Sequence, residues 1–134
     1  MGKLLIKDRP YERFSATEQG LAPGLTVTLH LPASGRRIPG KRALIDTGAE
    51  IPWLYPRDVA LDLASDVDYD PETGEFLVGL EIGGKTYYLQ CAYQDHPYAG
   101  TEEMLLGINM LSNWLVTLNG RRRLLSVTHL EPGE

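Results

Sequence analysis

The segment Ala43-Leu44-Ile45-Asp46-Thr47-Gly48-Ala49 runs an apolar stretch into an aspartate, followed by a hydroxyl residue and two small ones. A carboxylate at the end of a buried strand is costly unless hydrogen-bond donors or a chemical task hold it there. Asp46 is therefore the first candidate for acid–base work. Thr47 offers a hydroxyl that can brace a loop, and Gly48 lets backbone or substrate approach closely. The same residues also suit an Asx turn that merely closes a strand. A second segment, Met104-Leu105-Leu106-Gly107-Ile108-Asn109-Met110-Leu111, reads as an apolar strand stopped by glycine and followed by a short helical pattern. A third, Gly79-Leu80-Glu81-Ile82-Gly83-Gly84-Lys85-Thr86, matches the spacing of a phosphate-binding loop. That chemistry needs a helix starting at Lys85-Thr86. Tyr87, Leu89, Cys91 and Tyr93 instead alternate as a strand, so the segment is read as a hairpin around Gly83-Gly84.

The elements that must position these residues are mostly strands. Leu25–Leu31 alternates apolar and polar side chains with period two, and Pro32-Ala33-Ser34-Gly35 marks a turn before the return through Lys41–Ile45. Phe76, Val78, Leu80 and Ile82 form another alternating set. Asn119-Gly120 signals a two-residue hairpin between Trp114–Leu118 and Leu124–Val127. Two short helices are expected, over Arg57–Leu63 and over Ile108–Trp114, the second with Ile108, Leu111 and Leu115 on one face. Many short strands with closely spaced turns indicate an all-β barrel or sandwich.

Taken together, the apolar pair before Asp46-Thr47-Gly48-Ala49 and the later Leu105-Leu106-Gly107 resemble the retropepsin-like aspartic peptidases, in particular their single-lobe, bacterial-type, non-viral members. The likeness spans about residues 25–127. It implies a closed barrel-like lobe, with residues 25–134 as the retropepsin-like domain and residues 1–24 as an N-terminal extension that could give a strand to a dimer interface. It implies Asp46 as the catalytic carboxylate, and Thr47, Gly48, Gly107 and Asn109 as support for the active-site loop. Gly48, Ala49 and Glu50 would line the cleft. The turn Asp70–Gly74, with Glu72, Thr73 and Gly74, would be the tip of the flap over the substrate. Ile108 stands where retroviral relatives often carry arginine, and the proposed flap tip holds Pro71 and acidic residues in place of several glycines.

With one Asp-Thr-Gly per chain, the resemblance implies a homodimeric aspartic endopeptidase, a hydrolase in which two copies of Asp46 activate a water molecule without metal or other cofactor. The alternative is a catalytically weak or inactive module that binds extended peptides in its dimer groove.

Composition bounds these readings. At 134 residues the chain is one domain, and 43% hydrophobic with 23% charged residues is ordinary globular composition. A net charge of −5 argues against a nucleic-acid partner held by bulk electrostatics. No apolar run reaches the length of a membrane helix, and the start Met1–Ile6 lacks the features of a secretory signal. The single cysteine, Cys91, fits a reducing compartment, so a cytoplasmic location is expected, with the thiol a buried structural one. His30, His96 and His129 have no metal-ligand spacing. The acidic run Asp62–Glu75 reads as a solvated surface or a loop that meets a ligand.

Overall fold

A computed structural model describes residues 2–14, 21–46, 53–54, 70–93 and 103–133. Along the chain these form β1 (Lys3–Pro10), β2 (Glu12–Arg13), β3 (Leu21–Ala22), β4 (Gly24–Leu31), β5 (Arg36–Ile45), β6 (Trp53–Leu54), β7 (Glu75–Ile82), β8 (Lys85–Tyr93) and β9 (Met104–Leu106). A one-turn helix α1 (Ile108–Leu111) and the strands β10 (Trp114–Asn119) and β11 (Leu124–His129) complete it. The protein is all-β, and the expected second helix, Arg57–Leu63, lies outside the described residues. Among the described residues no helix is long and apolar enough to cross a membrane.

Six strands close into a barrel in the order β4-β5-β9-β6-β8-β7, and β7 returns to pair with β4. Period-two alternation decides which side chains fill it. Leu25, Val27, Leu29 and Leu31 of β4 point inward with Phe76, Val78, Leu80 and Ile82 of β7, and all are buried. The β7–β8 hairpin turns on Gly83 and Gly84, at φ 57° and 85°, with Ile82 opposite Lys85. This is the expected hairpin; the residues of the phosphate-loop pattern are strand and turn.

A second sheet, in the order β1-β11-β10, packs its Trp114, Leu125 and Val127 into the same core. β10 and β11 are antiparallel with Asn119 opposite Leu124, so the connection is the four residues Gly120–Arg123, not the two-residue turn expected. The Asn119 side chain accepts the Arg122 N–H at 3.0 Å and Arg123 adopts φ 56°, which stabilises the wider turn. Arg121, Arg122 and Arg123 are exposed in this turn and precede β11. The helix expected over Ile108–Trp114 is one turn long. Met110, not Ile108, is its buried residue, and Leu115 lies on β10 with its side chain exposed.

The N-terminal residues also take part. β1 pairs with β11, and β2 with β3. Phe14 then packs on the outer face of the barrel against Leu44 and Leu105, with the Arg42 guanidinium 4.7 Å over its ring. Gly24 lies beneath that ring: a Cβ there would meet Phe14 at 2.4 Å and the Ala43 carbonyl oxygen at 2.9 Å.

Candidate active site

Asp46 follows the last residue of β5, and its surroundings are set by the pairing of β5 with β9. These strands run parallel, with Ala43 beside Met104, Leu44 beside Leu105 and Ile45 beside Leu106. A parallel pair needs a long crossover connection, here the chain that carries β6, β7 and β8. The Asp46 N–H donates to the Leu106 carbonyl at 3.0 Å, extending the ladder one step past the strand ends. Gly107 is the next residue. The two segments that stood out in the sequence thus emerge side by side at one end of the barrel. β6 covers the other edge of β9, with Trp53 beside Leu105 and Leu54 beside Met104. Asp46 is half-buried at this end, a carboxylate on a rigid strand end with partial access to water.

The other expected site residues divide into three groups. Thr47, Gly48, Ala49 and Glu50 lie outside the described residues. Gly107 is buried, and its carbonyl accepts the N–H groups of Met110 and Leu111, so the residue beside Asp46 also starts α1. Asn109 sits in that helix with its Oδ1 buried and, among the described residues, without a hydrogen-bond partner, while its main-chain carbonyl accepts from Ser112 Oγ at 3.1 Å and Asn113 Nδ2 at 3.3 Å.

Glu72, Thr73 and Gly74 form a separate exposed turn at the start of β7. The Asp70 N–H donates to the Glu75 carbonyl at 2.9 Å, and the Gly74 N–H to the Asp70 carbonyl at 2.8 Å. The Asp70 carboxylate accepts the Glu72 N–H, and the Thr73 hydroxyl the Glu75 N–H. These bonds are internal to the turn. They make it compact, and none of them reaches Asp46.

Sequence reasoning missed two residues at the opposite end of the same β5–β9 ladder. Lys41 and Glu103 are 6% and 7% exposed, and the Lys41 ammonium meets the Glu103 carboxylate at 2.6 Å. Glu103 also grips the backbone of β5: its other carboxylate oxygen accepts the Arg42 N–H at 3.0 Å, and its own N–H donates to the Arg42 carbonyl at 2.8 Å. The partners are far apart in sequence and no local pattern announces them.

A second polar cluster ties the barrel to the outer sheet. Trp114 Nε1 donates to the Tyr87 hydroxyl at 3.0 Å, and that hydroxyl shares a 2.7 Å hydrogen bond with His129 Nδ1. His129 Nε2 faces the Glu131 carboxylate at 3.6 Å. A proton on Nε2 and donation by the Tyr87 hydroxyl satisfy the chain. Burial pushes the Tyr87 hydroxyl pKa up, against the lowering effect of the Trp114 hydrogen bond. Cys91 is buried in the barrel, and burial pushes its thiol pKa up beyond the range of a reactive cysteine. Among the described residues no group of three or more His, Cys, Asp or Glu side chains could hold a metal ion.

No family model matches the chain, and no curated protein matches it. Among solved structures it is similar to a Legionella pneumophila protein of unknown function (DUF785), at 15% identity and a TM-score of 0.45, over 66% of this chain and 84% of that one.

Proposed function

We propose that the chain is a retropepsin-like aspartic endopeptidase that acts as a homodimer on peptides or unfolded protein segments. The observation that supports this most is the placement of Asp46 beside Gly107 by the parallel β5–β9 pair, with the Asp46 N–H bonded to Leu106. That two segments distant in sequence lie side by side at one barrel end supports this reading. A single carboxylate cannot both take a proton from water and donate one to the peptide oxygen, so the reaction needs a second copy of Asp46. Two nearby carboxylates do not both ionise readily and retain one proton over a window of pH. The ionised member takes the proton of the attacking water while the protonated member hydrogen-bonds the peptide carbonyl. The roles reverse as the leaving nitrogen is protonated.

The edge of β10 suits the second copy. Among the described residues β10 pairs only with β11, it carries no ionisable residue and no proline, and Leu115 and Leu118 are 55% and 50% exposed. A strand edge without charge or proline is open to pairing with another chain. A reducing, cytoplasmic setting suits the single buried thiol.

The turn at residues 70–74 favours the second reading, a groove that holds extended peptides without cutting them. Its internal hydrogen bonds and Pro71 stiffen the segment that would have to close over a substrate. Incubation of a diverse peptide mixture from acidic to neutral pH, with wild type beside Asp46→Asn, decides between the two. The peptidase reading expects cuts by wild type alone. Peptides bound and returned intact by a dimeric wild type would replace it with the binding module.

A further inference from the structure

The strand beside Asp46 has almost no register information of its own. β9 is Met104-Leu105-Leu106 and the facing part of β5 is Ala43-Leu44-Ile45, so every position on both sides is apolar. Alternation forbids a slip of one residue, which would turn Met104 and Leu106 out of the core and Leu105 into it. A slip of two residues preserves inside and outside and is not forbidden by the hydrophobic pattern. At about 3.3 Å per residue it would carry Gly107 about 6–7 Å along β5 relative to Asp46.

We infer that the buried Lys41–Glu103 pair is the register lock of the β5–β9 ladder and acts as a positioning device for Asp46. Glu103 immediately precedes β9 and holds β5 at three points: Lys41 Nζ, the Arg42 N–H and the Arg42 carbonyl. After a two-residue slip the carboxylate could not keep both Lys41 and the Arg42 N–H, and an ammonium and a carboxylate would be left buried and separated. Separating such a pair is far costlier than replacing both members with apolar residues, and the best-attested use of buried charge is to fix register. The lock sits at the start of the three-residue ladder, and the Asp46 N–H to Leu106 bond closes its other end. The geometric claim stands by itself; its bearing on catalysis rests on the peptidase reading.

The test is amide hydrogen exchange in the full chain, with the Asp46 N–H as reporter and the β4 amides as the measure of global stability. In Lys41→Met/Glu103→Leu, which removes both charges, we expect the β4 amides to keep their protection and the Asp46 amide to exchange at least about tenfold faster. If that variant does not fold, Glu103→Gln serves, with an expected selective acceleration at Asp46 of at least about threefold. Unchanged protection at Asp46, or a uniform loss across β4 and Asp46, overturns the lock. Because the readout is exchange, the lock can fail while wild type still cleaves peptides, and it can hold in a protein that cleaves none.

Discussion

Replacing Phe14 with alanine removes a ring that is 1% exposed and forms one wall of a small cluster with Leu44 and Leu105. Those two residues are partners in the β5–β9 ladder, two positions before Asp46 and Gly107. The variant leaves a cavity over the outside of that ladder and frees the Arg42 guanidinium from its stacking partner. Gly24 has no side chain to refill the space. A buried Phe→Ala change costs about 3–5 kcal/mol, and the stacked guanidinium accounts for about 0.5–1 kcal/mol of such a loss. Against a total stability of about 5–15 kcal/mol, the variant should lose about a fifth or more of its margin. With roughly 3–5 °C lost per kcal/mol at this chain length, its midpoint should fall by about 10–25 °C. Urea unfolding followed by circular dichroism measures the change, and an unchanged slope would show that the unfolded state is unaltered. A loss below about 1 kcal/mol would refute the reasoning, because Phe14 would then be a covering that the barrel does not need.

Two further outcomes follow from the packing. Tyr87→Phe leaves Trp114 Nε1 and His129 Nδ1 without their shared partner; thermal unfolding should show a loss of about 1–3 kcal/mol, and no loss would mean that water replaces the hydroxyl. Cys91 should resist thiol reagents at neutral pH in the folded protein, reacting at least about a thousand-fold more slowly than in denaturant. Rapid native labelling would contradict its burial.

The parts of the fold legible in the sequence are those encoded by neighbours. β4 and β7 announce themselves by alternation because one face of each is core and the other is not. Gly83-Gly84 is readable because both residues sit at positive φ, where a side chain would be strained. β1 carries only a short apolar signal, Leu4-Leu5-Ile6. Its later half, Lys7-Asp8-Arg9-Pro10, carries charges and a proline, Asp8 adopts φ 50°, and the pairing with β11 shifts register twice, so the alternation is broken. Asn119-Gly120 misled because an asparagine that could have sat in a tight turn instead uses its side chain to cap a wider one.

The site shows the same division. Asp46 and Gly107 each stand out locally, because a polar or flexible residue interrupts an apolar run. Their adjacency is a property of the parallel ladder. Lys41 and Glu103 carry no local signal, since a lysine between Gly40 and Arg42 and a glutamate between Glu102 and Met104 read as ordinary surface until the fold buries them together.

The central claim is that one active site takes one Asp46 from each of two chains. Mixing a fixed amount of wild type with a ninefold excess of Asp46→Asn, and allowing subunits to exchange, tests it directly. If the site is shared, about one wild-type chain in ten retains a wild-type partner, and cleavage of a peptide found to be a substrate should fall about tenfold. Cleavage that is unchanged by the excess would place a complete site within one chain and contradict the account.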